Sequence, residues 1–132
     1  MIPLSVPELR GNEWSYVKEC LDTAWVSSAG TYVERFEERF ADYVGARHAV
    51  ACVNGTAALQ VALRLCGVER DDEVLVPTLT FAATINAVLY LGAHPVFFDA
   101  DPFYNLDVDA VGRFVDERTE MRDGVCVNRE TG

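Results

Sequence analysis

From residue 48 onward the chain alternates short β-branched runs with apolar, helix-length segments, and this alternation constrains the fold more than any other feature. The runs "HAVACV", "DEVLVP" and "HPVFFDA" have the length and composition of buried strands, predicted near 48 to 53, 73 to 76 and 95 to 99. Helices are predicted from Thr56 to Cys66, over "FAATINAVLYLG" closed by Gly92, and over "DVDAVGRFVDER", with Asp107 placed as the N-cap of the last. Strands joined by helices need crossover connections. The expected fold is therefore α/β and three-layered, with helices on both faces of a mostly parallel sheet. Such sheets take ligands outside the carboxyl ends of their strands.

The preceding segment reads as two amphipathic helices. Trp14, Val17 and Leu21 share a face over 12 to 23, and Val33, Phe36, Phe40 and Tyr43 do so from Thr31 to a stop at Gly45. The loop "WVSSAG" joins them. Trp14, Tyr16, Trp25 and Tyr32 form an aromatic load suited to an interface. The helix from Thr56 has only Gln60 and Arg64 as larger polar residues, so it is expected to be largely buried.

At 132 residues, half of them hydrophobic, the chain is long enough for one domain with a core. Acidic residues outnumber basic ones by 21 to 11, a formal charge of -10, which argues against nucleic acid or an anionic bilayer as partner. The start "MIPLSVPELRG" lacks a basic region leading into an apolar run, and no stretch reaches the roughly 18 apolar residues of a membrane span, so a soluble cytoplasmic protein is expected. Cys20, Cys52, Cys66 and Cys126 have no CxxC spacing and read as reduced thiols, two or three of them in the core. His48 and His94 are isolated, which leaves no zinc motif, and no G-x-S-x-G surrounds Ser5, Ser27 or Ser28.

Two places at predicted strand ends could carry chemistry. In "ACVNGTAALQ" the turn Asn54-Gly55-Thr56 runs into a helix start. Glycine there lets backbone N–H groups approach an anion, the helix start adds free donors and its dipole, and the Thr56 hydroxyl adds another donor. A phosphate would fit, but so would an ordinary turn and helix cap. The turn is neither a Walker loop nor a three-glycine dinucleotide fingerprint. In "VPTLTFAATINA", Phe81 could stack on a flat heterocycle or be a core residue, and Thr78, Thr80 and Thr84 could be caps or helix-face residues.

The run "NEWSYVKECLDTAWVSSAGTYVERFEERFADYVGARHAVACVNGTAALQVAL", followed by "DDEVLVPTLTFAATINAVLYLGAHPVFFDADP", resembles the opening of the nucleotide-sugar aminotransferases of the DegT/DnrJ/EryC1/StrS family. Within it, the legionaminic acid and bacillosamine branch is the nearest in resemblance. The resemblance covers essentially the whole chain. It implies the large domain of a fold-type I pyridoxal-phosphate enzyme, with residues 1–132 as the N-terminal segment. Gly55 and Thr56, with Asn54 beside them, would then belong to the phosphate cup, and Phe81 would stack on the pyridine ring. Trp25, Ser27, Ser28, Gly30 and Tyr32 would lie at the mouth of the site, against the sugar nucleotide or a facing subunit. Asn86 fits helix packing better than substrate contact. The implied reaction moves an amino group from glutamate to a UDP-4-keto-6-deoxy-N-acetylhexosamine in a homodimer.

Transamination needs a lysine that holds the cofactor aldehyde as a Schiff base and then shuttles a proton. The sole lysine is Lys18, on the polar face of the first helix, where a solvated ammonium is a poor nucleophile. Family members also set an acidic residue against the pyridine nitrogen. Asp99 and Asp101 in "FFDAD" are tempting, but the resemblance places that aspartate and the lysine beyond residue 132 and leaves these two to organise the loop or to fall near the substrate side. No catalytic residue is therefore assigned, and "MRDGVCVNRETG" reads as a hairpin-like linker at which the sequence is cut short. Two functions stand at this point: an aminotransferase present only as an inactive N-terminal piece, or a noncatalytic binding or structural module, paired with another chain that supplies the lysine.

Overall fold

The computed structural model describes residues 2–132 and divides into two compact units, Met1–Ala51 and Cys52–Gly132. The first holds α1 (Glu13–Asp22) and α2 (Thr31–Val44). Helix α2 ends where Gly45 turns left-handed at φ 71°, a backbone state that costs glycine nothing, and its N–H caps the Ala41 and Asp42 carbonyls.

The second unit runs α3 (Gly55–Leu65), β1 (Glu73–Pro77), α4 (Ala82–Leu89), β2 (His94–Phe98), α5 (Val108–Arg118), β3 (Thr119–Arg122) and β4 (Val125–Asn128). Strands β1 and β2 are parallel, paired from Glu73↔His94 to Pro77↔Phe98, with α4 as the crossover. The ladder continues past the strands through Asp71 N–H to Gly92 O at 3.0 Å and Thr78 N–H to Phe98 O at 2.8 Å. Asp107 caps α5 as predicted, its Oδ1 accepting from Ala110 N–H at 2.9 Å. Strands β3 and β4 form an antiparallel hairpin whose turn, Asp123 and Gly124, has two successive positive φ values, 51° and 85°. The hairpin is tied to β1 by Glu73, which accepts from Asn128 Nδ2 and Thr131 Oγ1, each at 2.8 Å.

The core of this unit is Val76, Val88 and Ala93, with Leu63, Val68, Val74 and Leu91 packed against them. Val88 is 1% exposed, so Val88→Ala removes two methyl groups from a site with no solvent to fill it. A loss of about 2 kcal/mol is expected, read as a lower urea midpoint at unchanged m-value.

Three expectations are corrected. Residues 48 to 53 form no strand; Val50 and Val53 are exposed, and the Ala51 N–H goes to the Glu37 carboxylate at 2.7 Å instead of to a ladder. A strand exists only through its neighbours, and none lies alongside this segment among the described residues. Helix α3 is not largely buried: Leu59, Val61 and Leu65 are exposed, because the helix packs on α4 and its outer apolar surface is uncovered among the described residues. The cysteines are free, but none is in the core; Cys52, Cys66 and Cys126 are exposed and Cys20 is half-buried.

A two-stranded parallel sheet has two open edges, and parallel sheets are ordinarily covered on both faces. Exposed Leu79, Leu89, Tyr90 and Phe97 extend the uncovered apolar surface. The 132-residue chain on its own is therefore expected to self-associate; light scattering that finds a monodisperse monomer at high concentration would contradict this.

Candidate functional site

In the second unit, Asn54 is the N-cap of α3. Its Oδ1 accepts from Ala57 N–H at 2.9 Å and its backbone carbonyl from Ala58 N–H at 3.1 Å. The cap is thus Asn54 and not Thr56, and the helix begins at Gly55. Asparagine directly before a run of small helix formers is the sequence signal for this arrangement. The two amides ahead of the capped one, Gly55 N–H and Thr56 N–H, have no hydrogen-bond partner among the described residues, nor does the Thr56 hydroxyl. A Cβ added at Gly55 would meet no atom within 4 Å. Two free amides, a hydroxyl, the positive end of an 11-residue helix and open space at the glycine together suit a phosphate.

Phe81 is the residue before α4, extended at φ -65° and ψ 144°, and it is 87% exposed. It is not a core residue of this unit, so its face is free to stack. Thr80 and Thr84 bond to each other at 3.0 Å beside it. Asp101 organises the loop after β2, its Oδ1 accepting from the Phe103 and Asn105 amides, both at 2.8 Å. Asp99 lies 3.4 Å from Thr78 Oγ1. Asn86 is half-buried within α4. His94 makes an exposed pair with Asp71.

In the first unit, Trp25, Ser27, Ser28, Gly30 and Tyr32 belong to one closed loop and the helix turn that follows it. The Trp25 indole N–H donates to the Ala29 carbonyl at 2.7 Å. The ring passes so close to Gly30 that a Cβ there would sit 2.1 Å from Nε1, so only glycine admits it. Ser27 Oγ accepts from Ala29 N–H at 3.4 Å, while the Ser28 hydroxyl is unbonded among the described residues. Tyr32 donates its hydroxyl to Glu19 Oε2 at 2.7 Å and tilts its ring against Tyr16, centroids 5.0 Å apart. The Glu19 hydrogen bond, then partial burial and the Glu19 charge, push the phenol from 10.0 up to about 12. Because the folded state favours the neutral phenol, the associated stabilisation is full below pH 10 and fades as pH rises toward 12.

Lys18 pairs with Asp22 on the exposed side of α1. No helix among the described residues is long and apolar enough to cross a membrane.

The parallel β1-α4-β2 unit with a helix opening at a glycine turn is part of an α/β domain of the fold-type I pyridoxal-phosphate aminotransferase kind, the fold shared by the solved structures it matches. The chain belongs to the DegT/DnrJ/EryC1/StrS aminotransferase family, which matches residues 7–126. It is 48% identical over 120 residues to the GDP-perosamine synthase of Caulobacter vibrioides, covering 90% of this chain and 32% of that protein. It is 44% identical over 92 residues to the UDP-2-acetamido-2-deoxy-3-oxo-D-glucuronate aminotransferase of Pseudomonas aeruginosa, covering 69% of this chain and 26% of that one. Among solved structures it is similar to Spr1654 of Streptococcus pneumoniae in its PLP form, with a TM-score of 0.77, 30% identity, and coverage of 85% of this chain and 29% of the other. The chain spans about a third of the length of the curated relatives it matches.

Proposed function

We propose that these residues form part of a pyridoxal-phosphate-dependent aminotransferase that moves an amino group, supplied by glutamate, onto a keto sugar carried on a nucleotide. The observation that carries this reading is the start of α3, where Gly55 and Thr56 leave two amides and a hydroxyl open to a phosphate. When bound, pyridoxal phosphate supplies the electron sink for transamination. Gly55 and Thr56 would hold its phosphate, Asn54 would keep the turn rigid through its bond to Ala57, and Phe81 would lie against the ring. The loop from Trp25 to Gly30, with Tyr32, would receive the sugar nucleotide.

The nucleotide can be weighed from the relatives. The resemblance implied a uridine-linked N-acetylhexosamine, and the Pseudomonas aeruginosa relative is named for a UDP-linked substrate. The Caulobacter vibrioides relative, with higher identity over more of the chain, is named for a GDP-linked sugar, which favours guanosine. A cytoplasmic homodimer joined partly through the aromatic residues of α1 and α2 belongs to the same proposal. A second reading has these residues serve as a noncatalytic binding or structural module on the same scaffold.

The test is an absorbance titration of the complete gene product with pyridoxal phosphate, followed by turnover with glutamate and keto sugars linked to GDP or UDP. Cofactor binding with turnover on one of them is expected. A gene product that neither binds pyridoxal phosphate nor turns over would leave the noncatalytic module as the answer.

A further inference from the structure

The loop between α1 and α2 is closed at its base by one residue that no motif singled out. The Glu19 backbone carbonyl accepts from Thr23 N–H at 3.0 Å and from Thr23 Oγ1 at 2.8 Å, where the loop begins. Its carboxylate accepts the Tyr32 hydroxyl at 2.7 Å, just after the loop ends. Between these two points the chain reverses through Ala24 at φ 55°, Trp25 N–H bonds back to the Cys20 carbonyl at 2.9 Å, and the Trp25 indole closes on Ala29. Gly30 begins α2 with no side-chain cap. The side chains that join the two helices here are Tyr16, Glu19, Tyr32 and Arg35, with the Arg35 guanidinium 5.4 Å from the Tyr16 ring centre.

We propose that Glu19 is a positioning residue for substrate: its carboxylate ties Tyr32, at the far end of the loop, to the last turns of α1, and so sets the shape of the 24–30 loop and the placement of the Ser28 hydroxyl toward a nucleotide-linked sugar. The proposal rests on the reading of this loop as the sugar-nucleotide contact. Glu19 itself touches no reacting atom. Its effect belongs to binding that is equal in ground and transition states, so it should alter KM and leave kcat alone.

Three variants of the complete gene product test it: Glu19→Ala, Glu19→Gln and Tyr32→Phe. Glu19→Ala is expected to raise KM for the sugar nucleotide roughly fivefold with kcat within about twofold of the parent, since a lost exposed hydrogen bond to a charged group is a modest effect. Affinity for pyridoxal phosphate should not change. Glu19→Gln, whose amide oxygen still accepts the phenol, should recover most of KM, and Tyr32→Phe should match Glu19→Ala. The double variant should be no worse than either single one. Tyrosine titration, with Tyr32→Phe identifying the signal, should show the Tyr32 phenol falling from about 12 toward its ordinary 10.0 in Glu19→Ala. A phenol that moves while KM stays at the parent value overturns the proposal, as does a double variant with additive losses. Turnover without any Glu19 dependence sinks this inference alone; absence of both cofactor binding and nucleotide-sugar binding sinks the proposed function with it.

Discussion

Titrated with pyridoxal phosphate and reduced with borohydride, the 132-residue chain is expected to gain no stoichiometric cofactor mass and to show no transfer of an amino group from glutamate. The reason is chemical. Transamination passes through a lysine amine that must be deprotonated, mobile and beside the cofactor. Lys18 is the only lysine present, lies on α1, and is engaged with Asp22 at the exposed surface. The open amides of Gly55 and Thr56, proposed to receive the phosphate, need no lysine to meet an anion, so weak noncovalent binding is the most this chain should achieve. Intact mass, peptide mapping and a coupled glutamate assay read the outcome directly. A stable adduct mapped to Lys18, accompanied by turnover, would overturn the assignment of the phosphate turn and the lysine together.

Gly55→Leu in the complete gene product is expected to weaken pyridoxal phosphate binding by about two orders of magnitude, equivalent to about 2.7 kcal/mol. The substitution places a branched side chain where the phosphate would approach the Gly55 and Thr56 amides. The fold itself should tolerate it, since an added Cβ meets nothing within 4 Å and the residue lies in the first turn of α3 without a positive φ. Gly55→Ala sharpens the contrast: it should leave thermal stability unchanged or raise it by about 0.5 kcal/mol through the restricted unfolded chain, while still lowering cofactor affinity. Loss of affinity with preserved melting separates a ligand cup from an ordinary turn. Parent-like affinity in Gly55→Leu would return the turn to the role of a helix cap.

Much of the second unit was legible because its signals are local. The period of the apolar residues, Asp107 ahead of α5 and the glycine after α2 each act within one or two turns of chain, and the predicted helix positions agree with α1, α2, α4 and α5 to within a residue or a few. The parallel sense of β1 and β2 was legible from the helix-length connection between them, because a helix packed back across the sheet returns the chain to the end from which it started. The start of α3 was legible for the same reason, although both Asn54 and Thr56 are of capping type and Asn54 supplies the cap. Both residue types cap helices, and the choice depends on which backbone adopts the extended φ of -163°.

What the sequence could not decide were features that depend on a neighbour far along the chain. "HAVACV" has strand composition, but a strand needs a ladder, and its Ala51 amide is taken by Glu37 instead. The apolar character of α3 gives a tendency to be buried, while the helix, packed on α4 and the core through Leu63, leaves Leu59, Val61 and Leu65 in the open. Glu19 looked like one more solvated acid on a helix until the turn of the chain brought Tyr32, thirteen positions later, within 2.7 Å of its carboxylate. Residue type and short-range spacing therefore determined the helices, the strands β1 and β2, the family and the candidate phosphate turn. Burial, strand pairing and the closed loop at Trp25 were decided by tertiary structure, because each is a contact whose energy exists only once two distant segments meet.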